Sequence, residues 1–67
     1  MTVKEFKQHT NAKIQVLIPS NDIYDVYHDR TQEHYLYVTN TSNDHLTIDF
    51  FEINEYENNT INVYTVR

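Results

Sequence analysis

The chain has no cysteine, no glycine and no tryptophan in its 67 residues, and a single proline, Pro19. Each absence removes a class of structure or chemistry. Without cysteine there is no disulfide staple and no thiolate metal centre. Without glycine the phosphate-cradling loop, the nucleophile elbow and the dinucleotide fingerprint cannot take their usual shapes, because each needs glycine where backbone approaches a ligand or adopts a positive φ. Left-handed turn positions fall instead to Asn and Asp, the next most tolerant residues. Asn21-Asp22, Asn40, Asn43-Asp44 and Asn58-Asn59 are the places where such turns are expected. Asn40-Thr41-Ser42 and Asn58-Asn59-Thr60 also match the glycosylation pattern, but they read as turn residues.

Long hydrophobic runs are missing as well. No segment approaches the roughly 18 apolar residues of a membrane span. The opening Met1-Thr2-Val3-Lys4-Glu5-Phe6 lacks the apolar stretch of a secretory signal, so the expected setting is the cytoplasm. The length allows one small domain, residues 1–67, which buries a smaller share of its surface than a larger domain would. Ordering each residue costs about 1.5 kcal/mol, and a core of this size barely offsets that. With disulfides excluded, association with a second copy or a larger partner is the expected supplement, and a homodimer is anticipated with residues 33–39 or 61–66 near its interface, through sheet edges or faces.

Positive charge is the last scarcity. Between Ile14 and Val66 nine carboxylates (Asp22, Asp25, Asp29, Glu33, Asp44, Asp49, Glu52, Glu55, Glu57) face one cation, Arg30, for a formal charge of -8. Lys4, Lys7, Lys13 and Arg67 lie at the ends, opposed there only by Glu5, and bring the net charge to -5. A single-sign field over so small a surface repels polyanions and steers cationic partners. Direct nucleic-acid binding, which requires Lys and Arg to neutralise phosphates, is not expected.

What is present reads as α+β. Thr2 followed three residues later by Glu5 is a capping-box pattern for one short N-terminal helix, with Val3 and Phe6 on its inner face and Asn11 as its stop. So short a helix is not stable alone and must dock, most simply on a sheet. Residues 14–18 form an apolar strand that Pro19 should terminate. Residues 23–28 form a second strand of poor parity, with a helical turn or a bulged edge as the alternative. In residues 33–39, His34, Leu36 and Val38 alternate with Tyr35 and Tyr37, apolar on both faces as in a central strand. Leu46, Ile48 and Phe50 make the next strand, but Phe51 and Ile53 continue on the opposite parity, which implies a bulge or bend near Phe50. Residues 61–66 form the last strand, joined to residues 53–56 through the hairpin-length loop 57–60. The expected fold is one helix packed on a four- to five-stranded, mostly antiparallel sheet.

Catalytic and metal constellations are not found. Ser20 and Ser42 sit among turn residues and read as turn formers. Carboxylate pairs such as Asp49 and Glu52 need a cleft that shifts one pKa before they do acid–base work, so no enzymatic activity is expected. His9, His28, His34 and His45 read as solvated surface histidines; Asp25, His28 and Asp29 would have ligand spacing only on a helix. No cofactor is expected.

The acids suit partner binding better. Residues two apart on a strand project from one face about 6.6 Å apart, comparable to successive phosphates, so Glu55 and Glu57 would resemble a stretch of nucleic-acid backbone. Asp49 and Glu52, and Asp22, Asp25 and Asp29, would extend the row. Tyr24, Tyr27, Tyr35, Tyr37, Tyr56 and Tyr64 add six large amphipathic rings of the kind enriched at binding hot spots, of which Tyr24, Tyr27 and Tyr56 are the expected partner contacts. The competing reading is that the acids only keep a small protein soluble and that the tyrosines pack a sheet.

The opening Met1-Thr2-Val3-Lys4-Glu5-Phe6 and the close Tyr56-Glu57-Asn58-Asn59-Thr60-Ile61-Asn62-Val63-Tyr64 resemble small acidic proteins encoded by phages and prophages of AT-rich Gram-positive bacteria. The resemblance implies a setting of phage and host conflict. In that setting the expected role is inhibition of a basic host nucleic-acid-handling protein (a nuclease, defence effector or polymerase) by acidic mimicry. The alternative is a homo-oligomeric accessory or structural protein.

Overall fold

The computed structural model describes residues 1–38 and 43–67. They form one helix, α1 (Val3–Lys7), and five strands: β1 (Lys13–Ser20), β2 (Val26–His28), β3 (Glu33–Val38), β4 (Ile48–Ile53) and β5 (Thr60–Thr65). The strands make a single sheet in the order β2-β3-β1-β5-β4. β1 and β5 run parallel, and the other three pairings are antiparallel. The α+β expectation therefore stands. None of the described helices is long and apolar enough to cross a membrane.

A helix of five residues exists here because every early amide finds an acceptor. Thr2 Oγ1 accepts from the Glu5 amide while the Glu5 carboxylate accepts from the Thr2 amide, which is the capping box read from the sequence. The Val3 and Lys4 amides donate to the carbonyls of Leu46 and Asp44 at 2.9 and 3.0 Å. These are donors that a helix start leaves free, satisfied here by the chain that leads into β4. Lys7 adds an ion pair to Asp44 at 2.8 Å. The helix stops at Lys7 with Gln8 as its cap, earlier than the stop anticipated at Asn11.

Val3 and Phe6 are buried against Val16 and Val63, with Ile14, Val38, Leu46, Ile48 and Ile61 around them. That is one face of the sheet. Leu17, Tyr35 and Tyr64, with Phe50, form a second cluster on the other face. Consecutive buried residues, Val16-Leu17 in β1 and Val63-Tyr64 in β5, follow from the central place of these strands, which have both faces covered.

β5 runs one residue earlier than the expected 61–66 and β1 starts one residue earlier than expected, and larger differences fall at three other places. Pro19 lies inside β1, paired with Tyr35. β5 accompanies β1 only as far as Leu17, so the missing N–H falls where β1 has a neighbour on one side alone. The ambiguous segment 23–28 resolves into a turn and the three-residue edge strand β2. β4 begins at Ile48, and the expected bulge lies between Ile48 and Phe50; it sends Phe50 to the aromatic cluster and Phe51 to the helix, where its ring meets Phe6 at 5.0 Å. β4 ends at Ile53, because the Asn54 side chain accepts from the Tyr56 and Glu57 amides at 2.8 and 3.1 Å and diverts the backbone from the ladder.

Asn59 takes a left-handed φ of 54°, as expected of the Asn58-Asn59 turn, but Gln32 does so too at 56°, where no such turn was foreseen. Thr39, Asn40 and Ser42, expected in a strand end and a turn, lie outside the described residues.

Candidate functional site

The face of the sheet opposite the helix carries a single aromatic layer. Phe50 stacks on Tyr64 at 4.4 Å with 6° between the rings, and Tyr35 meets Tyr64 edge-on at 4.9 Å. His28, on the edge strand β2, packs against Phe50 and Tyr64 of the distant strands β4 and β5 at 4.9 and 5.0 Å. Its Nε2 donates to the carboxylate of Glu52 on β4, the opposite edge strand. A flat five-stranded sheet would hold those edges far apart. The sheet is therefore curled so that its two edges approach over the aromatic layer.

Beyond this layer the same face turns polar. Asn54 Nδ2 donates to Gln15 Oε1 and to Asn62 Oδ1, each at 3.3 Å. Gln15 Nε2 donates to Glu57 at 3.2 Å, and Lys13 pairs with Glu57 at 3.0 Å. This ladder fixes the loop 54–59 against the end of the sheet. Next to it lies an open groove of about 270 Å³, lined by Tyr37, Glu52, Ile53, Asn54, Glu55, Tyr56 and Asn62. Two carboxylates, Glu52 and Glu55, and the rings of Tyr37 and Tyr56 meet there, groups that attract positive charge, with Tyr56 98% exposed.

The ten residues singled out from the sequence divide into separate groups. Glu52, Glu55 and Tyr56 meet at the groove, and Glu57 stands beside it, engaged by Lys13 and Gln15. Asp22, Tyr24 and Asp25 lie in the β1–β2 loop as parts of its turn: Asp22 accepts from the Tyr24 amide at 2.9 Å, and Asp25 accepts from Ser20 Oγ. Ser20 also accepts from the Asp22 amide at 3.1 Å, in keeping with the turn-forming role read for it. Ser42 lies outside the described residues. Asp29 is in the exposed turn after β2, and Asp49 is exposed at the β4 bulge. Tyr27 projects from β2 on the side opposite His28 and packs on His34 at 5.0 Å.

Two site expectations are corrected. Glu55 and Glu57 follow the end of β4, so strand geometry does not set them in a row of phosphate-like spacing. His28 is no solvated surface residue: its side chain is 11% exposed and its Nδ1 is buried without a hydrogen-bond partner among the described residues. Since residues 26–28 are strand, Asp25, His28 and Asp29 also lose the helical spacing a metal would need, and the described residues hold no cluster of three or more potential ligands. Asn54 and Asn62 carry no such reading in the sequence, and Tyr37 reads there only as one of six hot-spot-type rings, not as a neighbour of Glu52 and Glu55. The alternation of Tyr35 and Tyr37 gave their shared face, but nothing local in the sequence joins β3 to the loop after β4.

Burial raises the pKa of both aromatic-layer phenols. For Tyr35 the neighbouring charges of Glu33 and Asp49 add to the effect, against a lowering by the bond to Thr31; for Tyr64 the charge of Glu52 adds to it. Both stay neutral at physiological pH. No protein family, no curated protein and no solved structure matches this chain. Its function must be read from its own residues.

Proposed function

We propose that this chain is a small acidic binding protein that occupies the basic nucleic-acid channel of a host protein, a nuclease, defence effector or polymerase, in the phage setting that the resemblance of its two ends implies. The observation that carries the reading is the groove in which Glu52 and Glu55 converge with Tyr37 and Tyr56, on a chain of net charge -5. Carboxylates flanked by aromatic rings suit an arginine or lysine side chain that otherwise grips phosphate. The acids of the β1–β2 loop and of the β4 bulge enlarge the field that steers such a partner in.

The test is competition. A basic nucleic-acid-handling protein captured by the immobilised chain should be released by duplex DNA and by raised salt, because both compete for the same cationic groups. Asp49→Lys with Glu55→Lys should weaken capture at least tenfold, mainly through slower association, while Lys4→Ala changes little. Capture that resists DNA, salt and charge reversal would reduce the acids to solubility.

A homo-oligomeric accessory protein is the second reading, favoured by the exposed Ile53 and Tyr56. The interface expected along β3 or β5 cannot be an edge, since both strands are interior. Light scattering that shows a monomer at high micromolar concentration would exclude this reading.

A further inference from the structure

Among the described residues β4 is an edge strand whose outer side is unpaired over residues 51–53. The Asn54 amide donates to the Thr60 carbonyl, and the register pairs Glu52 with Asn62 and Phe50 with Tyr64. In an antiparallel ladder hydrogen-bonded and non-hydrogen-bonded pairs alternate, so Phe50, Glu52 and Asn54 turn their N–H and C=O groups towards β5. Phe51 and Ile53 turn theirs outward, and among the described residues no strand pairs with them. The other end of this edge is already closed: the Ile48 amide donates to Met1, and Thr2 bridges Thr47. Natural sheets protect such edges with charged side chains, proline, bulges or a covering segment, and the bulge with Asp49 guards the 48–50 half of β4. Over residues 51–53 β4 has no bulge, lysine or proline, and its one charge there, Glu52, projects on the curled side.

Its side chains are sorted by face. Phe51 and Ile53 stand on the helix side, with Ile53 77% exposed, while Glu52 projects on the curled side at the groove. A strand added to this edge would hydrogen-bond to Phe51 and Ile53, place alternate side chains beside those two apolar residues, and place the side chain between them beside Glu52.

We infer that the β4 edge takes up an extended segment of another protein, with apolar residues opposite Phe51 and Ile53 and a lysine or arginine opposite Glu52. This rests on the proposed cationic partner and deepens it, by naming a strand as the form in which that partner is held. A second copy of this chain fits less well. The two-fold pairing of β4 with itself that uses the outward groups of both Phe51 and Ile53 sets Glu52 directly against Glu52 of the other copy, and like charges directly opposed on adjacent strands are destabilising.

The probe is an acetylated, amidated peptide of alternating valine and lysine, compared with a version N-methylated at the amides that would face β4, and with an alternating valine and serine peptide. Amide hydrogen exchange and chemical-shift mapping should show the valine–lysine peptide protecting Phe51 and Ile53. N-methylation should weaken binding at least tenfold, as should Ile53→Pro, which deletes an outward N–H that takes no part in the β5 ladder. Ile53→Asp, which leaves the backbone intact, is the second variant and should also weaken binding severalfold. Equal binding of the N-methylated peptide, with salt dependence retained, would overturn the inference and leave the acidic-groove reading standing. Equal protection by the serine peptide would support the edge and remove the cationic partner. Protection of the same amides that grows with protein concentration and needs no peptide would assign the edge to a second copy.

Discussion

His28 and Glu52 stand on the two outermost strands of the sheet, yet their side chains share a hydrogen bond. The contact ties residues 24 apart in sequence and closes the curl over Tyr35, Tyr64 and Phe50. It also commits one of the groove's two carboxylates to the fold, so Glu52 serves both structure and site while Glu55 is free to serve the site alone.

His28→Ala should therefore be costly. Losing a buried ring from an aromatic cluster leaves a cavity, and the expected destabilisation is about 2–4 kcal/mol. His28→Phe keeps the ring and removes only the donor to Glu52, with an expected loss of about 1–2 kcal/mol. Denaturant midpoints for the two variants check both values; equal losses would mean that the hydrogen bond rather than the packing holds the edges together.

The capping box makes a second prediction. Thr2→Ala should cost about 1 kcal/mol, since the Glu5 amide then loses its acceptor. Phe6→Ala, which empties the position that Val16, Val63 and Phe51 surround, should cost about 3–5 kcal/mol. An unchanged melting midpoint in Thr2→Ala would show that the first turn is held by the carbonyls of Leu46 and Asp44 instead.

The pH dependence has a sign at each end. The Thr2 amide and then its hydroxyl hold the Glu5 pKa below its ordinary value of 4.5. Glu5 thus contributes stability above about pH 4.5 that is lost as the pH falls through its lower, folded value. Glu5→Gln should flatten the acid limb of the stability curve. Tyr35 and Tyr64, raised by burial from 10.0, contribute in the opposite sense: their share is complete below about pH 10 and is lost as the pH rises towards their folded values. Tyr35→Phe should extend stability into alkali, as read by a pH series of melts.

Gln32 provides a test of backbone strain. Its φ of 56° places a residue with a Cβ in the left-handed region, while its amide donates to the His28 carbonyl at 2.8 Å to close the β2–β3 turn. Gln32→Gly should raise stability by up to about 1 kcal/mol, the relief of left-handed strain exceeding the added freedom of the unfolded chain. Asn59→Val, at the other left-handed position, should lower it by a similar amount.

The capping box, the inward pairing of Val3 and Phe6, the bulge at Phe50 and the left-handed Asn59 were all legible in the sequence, because each depends on residues within a few positions of one another. The helix-side core was legible for the same reason, as apolar periodicity within each strand. The strand order was not: β1 lies between β3 and β5, and β5 is interior, through pairings that span most of the chain and leave no local trace. Pro19 inside β1 follows from where β5 happens to end, and the early end of β4 from one asparagine whose side chain outcompetes the ladder. The site was legible only as chemistry. Acids and tyrosines could be counted, but whether they meet depends on the curl, which brings β2 against β4 through His28 and Glu52. Local hydrogen bonding and periodicity determined the elements; long-range packing of rings on a closing sheet decided which side chains share the groove and which edge stays open.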